Sequence, residues 1–286
     1  MRDAQLAGRQ INRISRRQLI DLGMSDTAIA HAVASGRLVR VEEGVFAVAP
    51  VLHHDEWGRW MGATLTAPGS VLSHLSAAAA WGLLSPRPGC ETVTRPGRGG
   101  PRRHGSVRVF RSTTIEEDRT HLRGIPISSV PRTLLDIARV VRNRALARGV
   151  REAVRLGLVD LITLGDSLGR HQGRRGSRAL AGTVARYAGL PLERARSGAE
   201  VRALEILRAA DLPPPRLNVR VAGEEADLSW PGFRMIIEID GGPFHLDVGE
   251  DERKQRVWEA AGWAVRRISD DDVYERPNRL LALAPP

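Results

Sequence analysis

The chain has 286 residues, 42% of them hydrophobic and 27% charged, with a formal net charge of +10. That length predicts two or three compact units, and the composition buries real cores, which excludes a wholly disordered chain. No apolar run approaches the ~20 residues of a membrane span. With Asp3 early and no apolar stretch behind it, the N-terminus does not read as a secretory signal, and the expectation is a soluble, cytoplasmic protein acting at the nucleoid. The lone Cys90 closes no internal disulfide and builds no thiolate metal cage.

Charge is divided along the chain. Residues 1–196 carry 31 Arg against 16 acidic residues, a net +15, whereas residues 197–286 carry 12 basic against 17 acidic, a net −5. Residues 51–196 alone hold +13. All but one of the basic residues are Arg, which a GC-rich genome produces by itself, but codon usage does not sort acids into one segment. The basic part predicts a polyanionic partner, DNA first.

Residues 1–50 read as helices followed by a hairpin. Ser15 opens a short helix ending at Leu22-Gly23, and Ser25-Asp26 open a second, with Ala28, Ile29, Ala32 and Val33 apolar and Gly36 behind it. Residues 37–41 and 45–48 alternate as strands around Glu42-Glu43-Gly44. The order predicts a winged helix-turn-helix whose second helix enters a major groove, with Thr27, His31 and Arg37 facing it; the alternative is a winged module that packs against protein only.

Residues 51–196 read as a basic middle domain of mixed structure. Residues 71–84 predict one buried helix ending at Gly82, and residues 125–141 a strand followed by a helix begun at Ser129-Val130-Pro131. Between them the Gly/Arg stretch Arg95 to Gly105 offers Arg98, Arg102 and Arg103 to phosphates, or is a solvated loop. Gly173 to Gly176 repeats that composition, and the boundary to the next domain falls near Leu190 to Arg196.

Residues 197–286 predict the order αβββαβ: a helix from Ser197 to Ala210, strands Leu217–Val221, Asp227–Trp230 and Phe233–Asp240, a helix from about Glu250 to Ala261, and a strand from Trp263 to Ile268, with a terminal helix after Asp270. With Pro231-Gly232 at the turn, Trp230 faces Phe233 and Asp227 faces Ile236. Asp227, Glu238 and Asp240 then share one face, Asp227 and Glu238 as diagonal neighbours able to reach one cation. Clustered carboxylates repel one another and cost desolvation, and Mg²⁺ or Mn²⁺, with water and a substrate phosphate, removes that cost. A solvated acidic strand end is the alternative.

These residues carry a resemblance. Ser197-Gly198-Ala199-Glu200, Ala226-Asp227-Leu228-Ser229-Trp230, Ile237-Glu238-Ile239-Asp240-Gly241 and Ala260-Ala261-Gly262-Trp263 resemble the small nuclease family related to very-short-patch-repair endonucleases, of the PD-(D/E)xK restriction-endonuclease-like fold. Ser15 to Val48, Ser73-His74-Leu75-Ser76-Ala77-Ala78, and Ile125-Pro126-Ile127 with Pro131-Arg132-Thr133-Leu134-Leu135-Asp136 resemble AbiEi-type antitoxins.

By position, the nuclease resemblance implies metal-binding acids at Asp227 and Glu238 and a further acid at Glu200, although Ser197-x-x-Glu200 is also a capping box. Asp240 stands where the usual motif has lysine. The repair-endonuclease branch also lacks that lysine and relies on histidine, and His245 falls where such a histidine lies, able to orient water or protonate the leaving oxygen. Lys254 offers a positive charge from the next helix, or a phosphate contact. Gln255 stands where relatives carry an acid.

The expectation is a three-part protein, divided at 1–50, 51–196 and 197–286. It is a metal-dependent endonuclease, monomer or weak dimer, that nicks mismatched, branched or RNA:DNA hybrid substrates. The alternative is a DNA-binding autoregulator and antitoxin with a toxin partner and a non-catalytic nuclease fold.

Overall fold

The computed structural model describes residues 2–49, 55–241 and 248–286. The chain is a mixed α/β protein of two compact units, Met1–Ala153 with Leu158–Arg186, and Val154–Gly157 with Tyr187–Pro286. Among the described residues no helix is long and apolar enough to cross a membrane.

The first unit begins with α1 (Arg2–Arg9), β1 (Arg13–Ser15), α2 (Arg16–Asp21), α3 (Asp26–Ala34), β2 (Leu38–Glu42) and β3 (Val45–Val48). The strands form an antiparallel sheet in the order β1-β3-β2. Ser15 ends β1 and caps α2: its Oγ accepts from Gln18 N at 3.2 Å, and its own N–H donates to Gln18 Oε1 at 2.9 Å. Ser25 caps α3 through Ala28 N at 3.2 Å. Each element contributes to one small core, with Ala7, Ile14, Leu19, Ile29, Leu38 and Phe46 packed together. Because the Ser15–Gln18 exchange satisfies two otherwise orphaned donors, Ser15→Ala is expected to destabilise this unit by about 1 kcal/mol in chemical denaturation.

The same unit continues with α4 (Glu56–Leu65), β4 (Val71–Leu72), α5 (His74–Ala80), β5 (Thr92–Pro96), β6 (Arg102–His104), β7 (Val107–Ser112), β8 (Arg119–Leu122), β9 (Ile125–Ser128), α6 (Val130–Ile137), α7 (Asn143–Arg155), α8 (Leu161–Arg170) and α9 (Ser177–Tyr187), except that the last two residues of α7, Val154 and Arg155, and the last of α9, Tyr187, belong to the second unit. Its six strands form one mixed sheet in the order β6-β7-β5-β4-β9-β8. Trp60, Met61, Leu72, Val93, Val107, Val109 and Ile127 make its core.

The single helix expected over 71–84 is corrected. Val71 and Leu72 pair with β5 and β9, the chain turns at Ser73, and α5 starts at His74 with a left-handed φ of 50°. Buried Ser73 Oγ accepts from Thr94 Oγ1 at 2.8 Å, so the break is stitched to the sheet. The Gly/Arg stretch is also more than a loop, because its ends are β5 and the edge strand β6.

The Pro131 to Asp136 motif has a structural use. Arg132, 1% exposed, donates from Nη1 to Asp118 Oδ2 at 2.7 Å and from Nε to Asp136 Oδ2 at 3.0 Å, and His171 Nε2 lies 3.3 Å from Asp118 Oδ1. A guanidinium buried this deeply persists only when paired on both sides.

The second unit holds α10 (Gly198–Ala209), β10 (Arg216–Val221), β11 (Glu224–Trp230), β12 (Met235–Asp240), α11 (Val248–Ala260), β13 (Ala264–Ser269), α12 (Asp270–Glu275) and α13 (Pro277–Leu283). The sheet order is β10-β11-β12-β13, antiparallel until β13, which runs parallel to β12 after the α11 crossover. Trp258 of α11 is fully buried, its Nε1 donating to Val221 O at 3.0 Å.

The hairpin register differs from expectation by two residues. Pro231–Phe233 form a 3₁₀ turn and Arg234 takes the left-handed conformation, φ 46° and ψ 48°, so Trp230 pairs with Met235 rather than Phe233. A shift of two residues preserves which side chains share a face.

Candidate active site

β11 and β12 pair from Trp230↔Met235 to Leu228↔Ile237, and there their backbone ladder stops. One residue further the register sets Asp227 directly against Glu238, not diagonally. β11 remains paired with β10, and β12 with β13, beyond this point, so the sheet forks between them. Side chains close the fork: Asp227 N donates to Glu238 Oε1 at 2.9 Å, and Ile239 N donates to Asp227 Oδ2 at 2.8 Å. Each carboxylate thereby satisfies an amide that the ladder leaves unpaired.

Neither acid is comfortable there. Glu238 is 9% exposed and Asp227 is half-buried. Burial raises Asp227 to about 6; the Ile239 amide opposes the rise, the charges of Glu200 and Asp240 add to it, and Lys254 opposes it. Burial also raises Glu238 to about 7, assisted by the Asp227 charge and opposed by the Asp227 amide, Arg267 and Lys254. The pair stores the electrostatic cost that the sequence predicts for it.

Glu200, 4% exposed, reaches the same place from the first turn of α10. Its Oε2 accepts from Arg196 N at 2.9 Å and from Asn218 Nδ2 at 2.6 Å, while Ser197 Oγ accepts from Glu200 N at 3.1 Å. Glu200 therefore serves the helix start and also charges the Asp227 environment. Asp240, at the end of β12, takes Arg267 Nη1 at 3.1 Å; that nitrogen also lies 3.5 Å from Asp251 Oδ2. Lys254 Nζ stands 3.9 Å from Glu250 Oε1, and Gln255 bonds Glu259 one turn on, at 2.8 Å. His245 lies outside the described residues.

Sequence reasoning missed two residues here. Arg267 pairs in register with Glu238 on the neighbouring parallel strand, and Asn218 faces Asp227 from β10, between the pairs Leu217↔Leu228 and Val219↔Ala226. Only the register makes them neighbours of the acids, and the sequence does not state it.

In the first unit, Thr27, His31 and Arg37 are exposed around α3, and Arg98, Arg102 and Arg103 are exposed around β6. No acid stands between residues 92 and 115, which include six arginines. Arg111 Nη1 donates to Arg98 O at 3.2 Å and holds the turn between β5 and β6.

Residues 4–49 match the family described as transcriptional regulator, AbiEi antitoxin. The match covers α1 to β3. Among solved structures, the catalytic domain of the homing endonuclease I-Bth0305I is similar at 24% identity, over 30% of this chain and 89% of that one, with a TM-score of 0.27. No curated protein matches.

Among the described residues no three His, Cys, Asp or Glu side chains are gathered closely enough to enclose a metal ion. The donor set does suit a hard cation held from one side. Asp227 and Glu238 each hold a partner-strand amide through one named oxygen, and burial makes both hold a proton more tightly than a free carboxylate does, a cost that a positive charge beside them would relieve.

Proposed function

We propose that this chain is a divalent-metal-dependent endonuclease acting on DNA, with its chemistry in the second unit and its main DNA affinity in the first. The observation that carries the reading is the opposed Asp227–Glu238 pair, buried at a fork in the sheet. Two carboxylates with water and a substrate phosphate are a usual shell for Mg²⁺. When bound, Mg²⁺ or Mn²⁺ would stabilise charge on the scissile phosphate and increase the acidity of a bound water.

The protein's own groups divide the remaining work. Asp227 and Glu238 would hold the ion, Glu200 would add negative charge beside Asp227 and so favour a cation there, and Asp240 would bridge to Arg267 at the rim. Lys254 and Arg267 supply the positive charge that a phosphodiester needs beside so many acids. His245 is retained as the proposed proton carrier for the leaving oxygen. In the first unit, α3 with Thr27, His31 and Arg37 would face a groove as the recognition helix of a winged helix, and Arg98, Arg102 and Arg103 would follow phosphates.

The test is a cleavage panel of duplex, mismatched, branched and RNA:DNA hybrid substrates with Mg²⁺, Mn²⁺ or chelator. Cleavage with metal and none with chelator is expected; no cleavage of any substrate in any metal counts against the reading. A single carboxylate pair presents one hydrolytic centre, so on supercoiled plasmid carrying a susceptible structure nicked circles should precede linear DNA. Linear product should rise more steeply with protein concentration. Linear DNA formed at once by limiting protein would instead indicate a preformed dimer.

The match at residues 4–49 favours a second reading, in which the chain is a transcriptional autoregulator and antitoxin with a toxin partner. That reading needs operator binding and has no use for the acids. Operator protection unaffected by Asp227→Asn, with no cleavage anywhere, would select it.

A further inference from the structure

Asn218, Asp227, Glu238 and Arg267 occupy successive strands of one sheet in a transverse row, set by the β10–β11 and β12–β13 registers and the continued β11–β12 register. At the β10 end of this row lies a cavity of about 390 Å³ lined by Arg155, Glu193, Arg194, Arg196 and Asn218. Its charge is opposite to that of the carboxylate pair. Arg196 forks both terminal nitrogens onto Glu225, and the Arg194 guanidinium has no ion pair or hydrogen bond with any described residue. Three guanidinium groups, from Arg155, Arg194 and Arg196, thus share one concave wall with Glu193.

Asn218 ties that wall to the acids. It adopts a left-handed φ of 48° within β10. From there its Nδ2 donates to Arg194 O at 2.8 Å and to Glu200 Oε2 at 2.6 Å. A non-glycine residue in this conformation costs free energy, and here it braces the arginine loop against the acid beside Asp227. A phosphodiester approaching Asp227 and Glu238 is repelled by them until a cation is present. An arginine wall beside the adjoining strand β10 offsets that repulsion and fixes the direction in which the backbone enters.

We propose that the Arg155–Arg194–Arg196 cavity is a phosphate subsite for the nucleic-acid strand, taking a phosphate beside the scissile one. This rests on the nuclease reading of the Asp227–Glu238 pair. Two strand spacings of ~4.8 Å separate the Asn218 position from Glu238, so the two phosphate positions are distinct but within reach of one short stretch of backbone.

The test uses the full chain and thymidine 3′,5′-bisphosphate, a single nucleoside carrying the two phosphates of one strand step, titrated calorimetrically in chelator. Arg155→Gln with Arg194→Gln is expected to weaken binding at least about tenfold. Arg194→Gln alone, at an exposed side chain, should weaken it severalfold and covers the case in which the double variant misfolds. Asp227→Asn should retain binding or tighten it. Unchanged affinity in the arginine variants, no binding by the wild type at millimolar bisphosphate, or inorganic phosphate bound as tightly as the bisphosphate would each overturn the subsite. The nuclease reading fails separately, if Asp227→Asn still cleaves. With cleavable DNA, the loss in Arg194→Gln should fall on KM.

Discussion

Glu238→Gln and Asp227→Asn are each expected to reduce metal-dependent cleavage by more than about 100-fold while making the second unit more stable at pH 8. The first half follows from the proposed role, because each variant removes one of two charged oxygen donors for the ion. The second half follows from the direction of the pKa shifts. Folding raises Asp227 from 3.8 to about 6 and Glu238 from 4.5 to about 7. The folded state therefore holds more protons than the unfolded state between pH 4 and pH 7, and stability declines as pH rises through that window. Above it, the pair is ionised at a cost. An isosteric amide keeps an acceptor for the opposite amide and removes that cost, a gain of at most about 3 kcal/mol for a shift of a little over two pKa units. Thermal melts at pH 5 and pH 8, without metal, read this directly: the wild type should lose stability between them and Glu238→Gln should lose less. A variant that unfolds at pH 8 would show the acids to be structural supports. Cleavage at limiting metal should fall as pH drops through the raised values, because protonated acids make poor ligands.

Replacing Arg98, Arg102 and Arg103 together with Gln is expected to reduce the slope of log affinity against log salt by about 3 and to weaken DNA binding by about 10- to 100-fold at low salt. Each arginine that neutralises a phosphate releases close to one counterion, worth ~0.9 in that slope. The three are exposed on or beside β6, with Arg108 and Arg111 exposed on β7 and no acid in the hairpin sequence. The effect should be alike across unrelated sequences, since phosphate contacts carry no base information. Removal of residues 197–286 should retain most of the affinity. An unchanged slope in the triple variant would move the DNA path elsewhere on the unit.

The second unit is legible in the sequence because its signals are local and mutually consistent. The αβββαβ order follows from alternation and from breaks at Pro213 to Pro215, Pro231-Gly232 and Gly262. The pairing of Asp227 with Glu238 follows only approximately, because the extra residues of the hairpin turn, Phe233 and Arg234, carry no sequence mark for left-handed φ. The error is even, so the acids keep their common face. Arg267 and Asn218 are invisible without the register. In the first unit the two capped helices and their hairpin are legible, whereas β5 to β8 are not. Their arginines, prolines and glycines resemble loop composition, and what makes them strands is pairing with partners far along the chain. Ser73 is the clearest case: the mostly apolar stretch 71–84 reads as one helix, and a buried hydroxyl bonded to Thr94 breaks it.

The edge position of β6 has a consequence for the protein in concentrated solution. An outer strand presents unpaired backbone donors and acceptors, and any second chain with an extended segment can add to it. Arg102 and Arg103 place two like charges on that strand, so an identical edge from another copy meets electrostatic repulsion before it can pair. Any variant that strips those charges to weaken DNA binding also removes a guard against sheet-to-sheet aggregation.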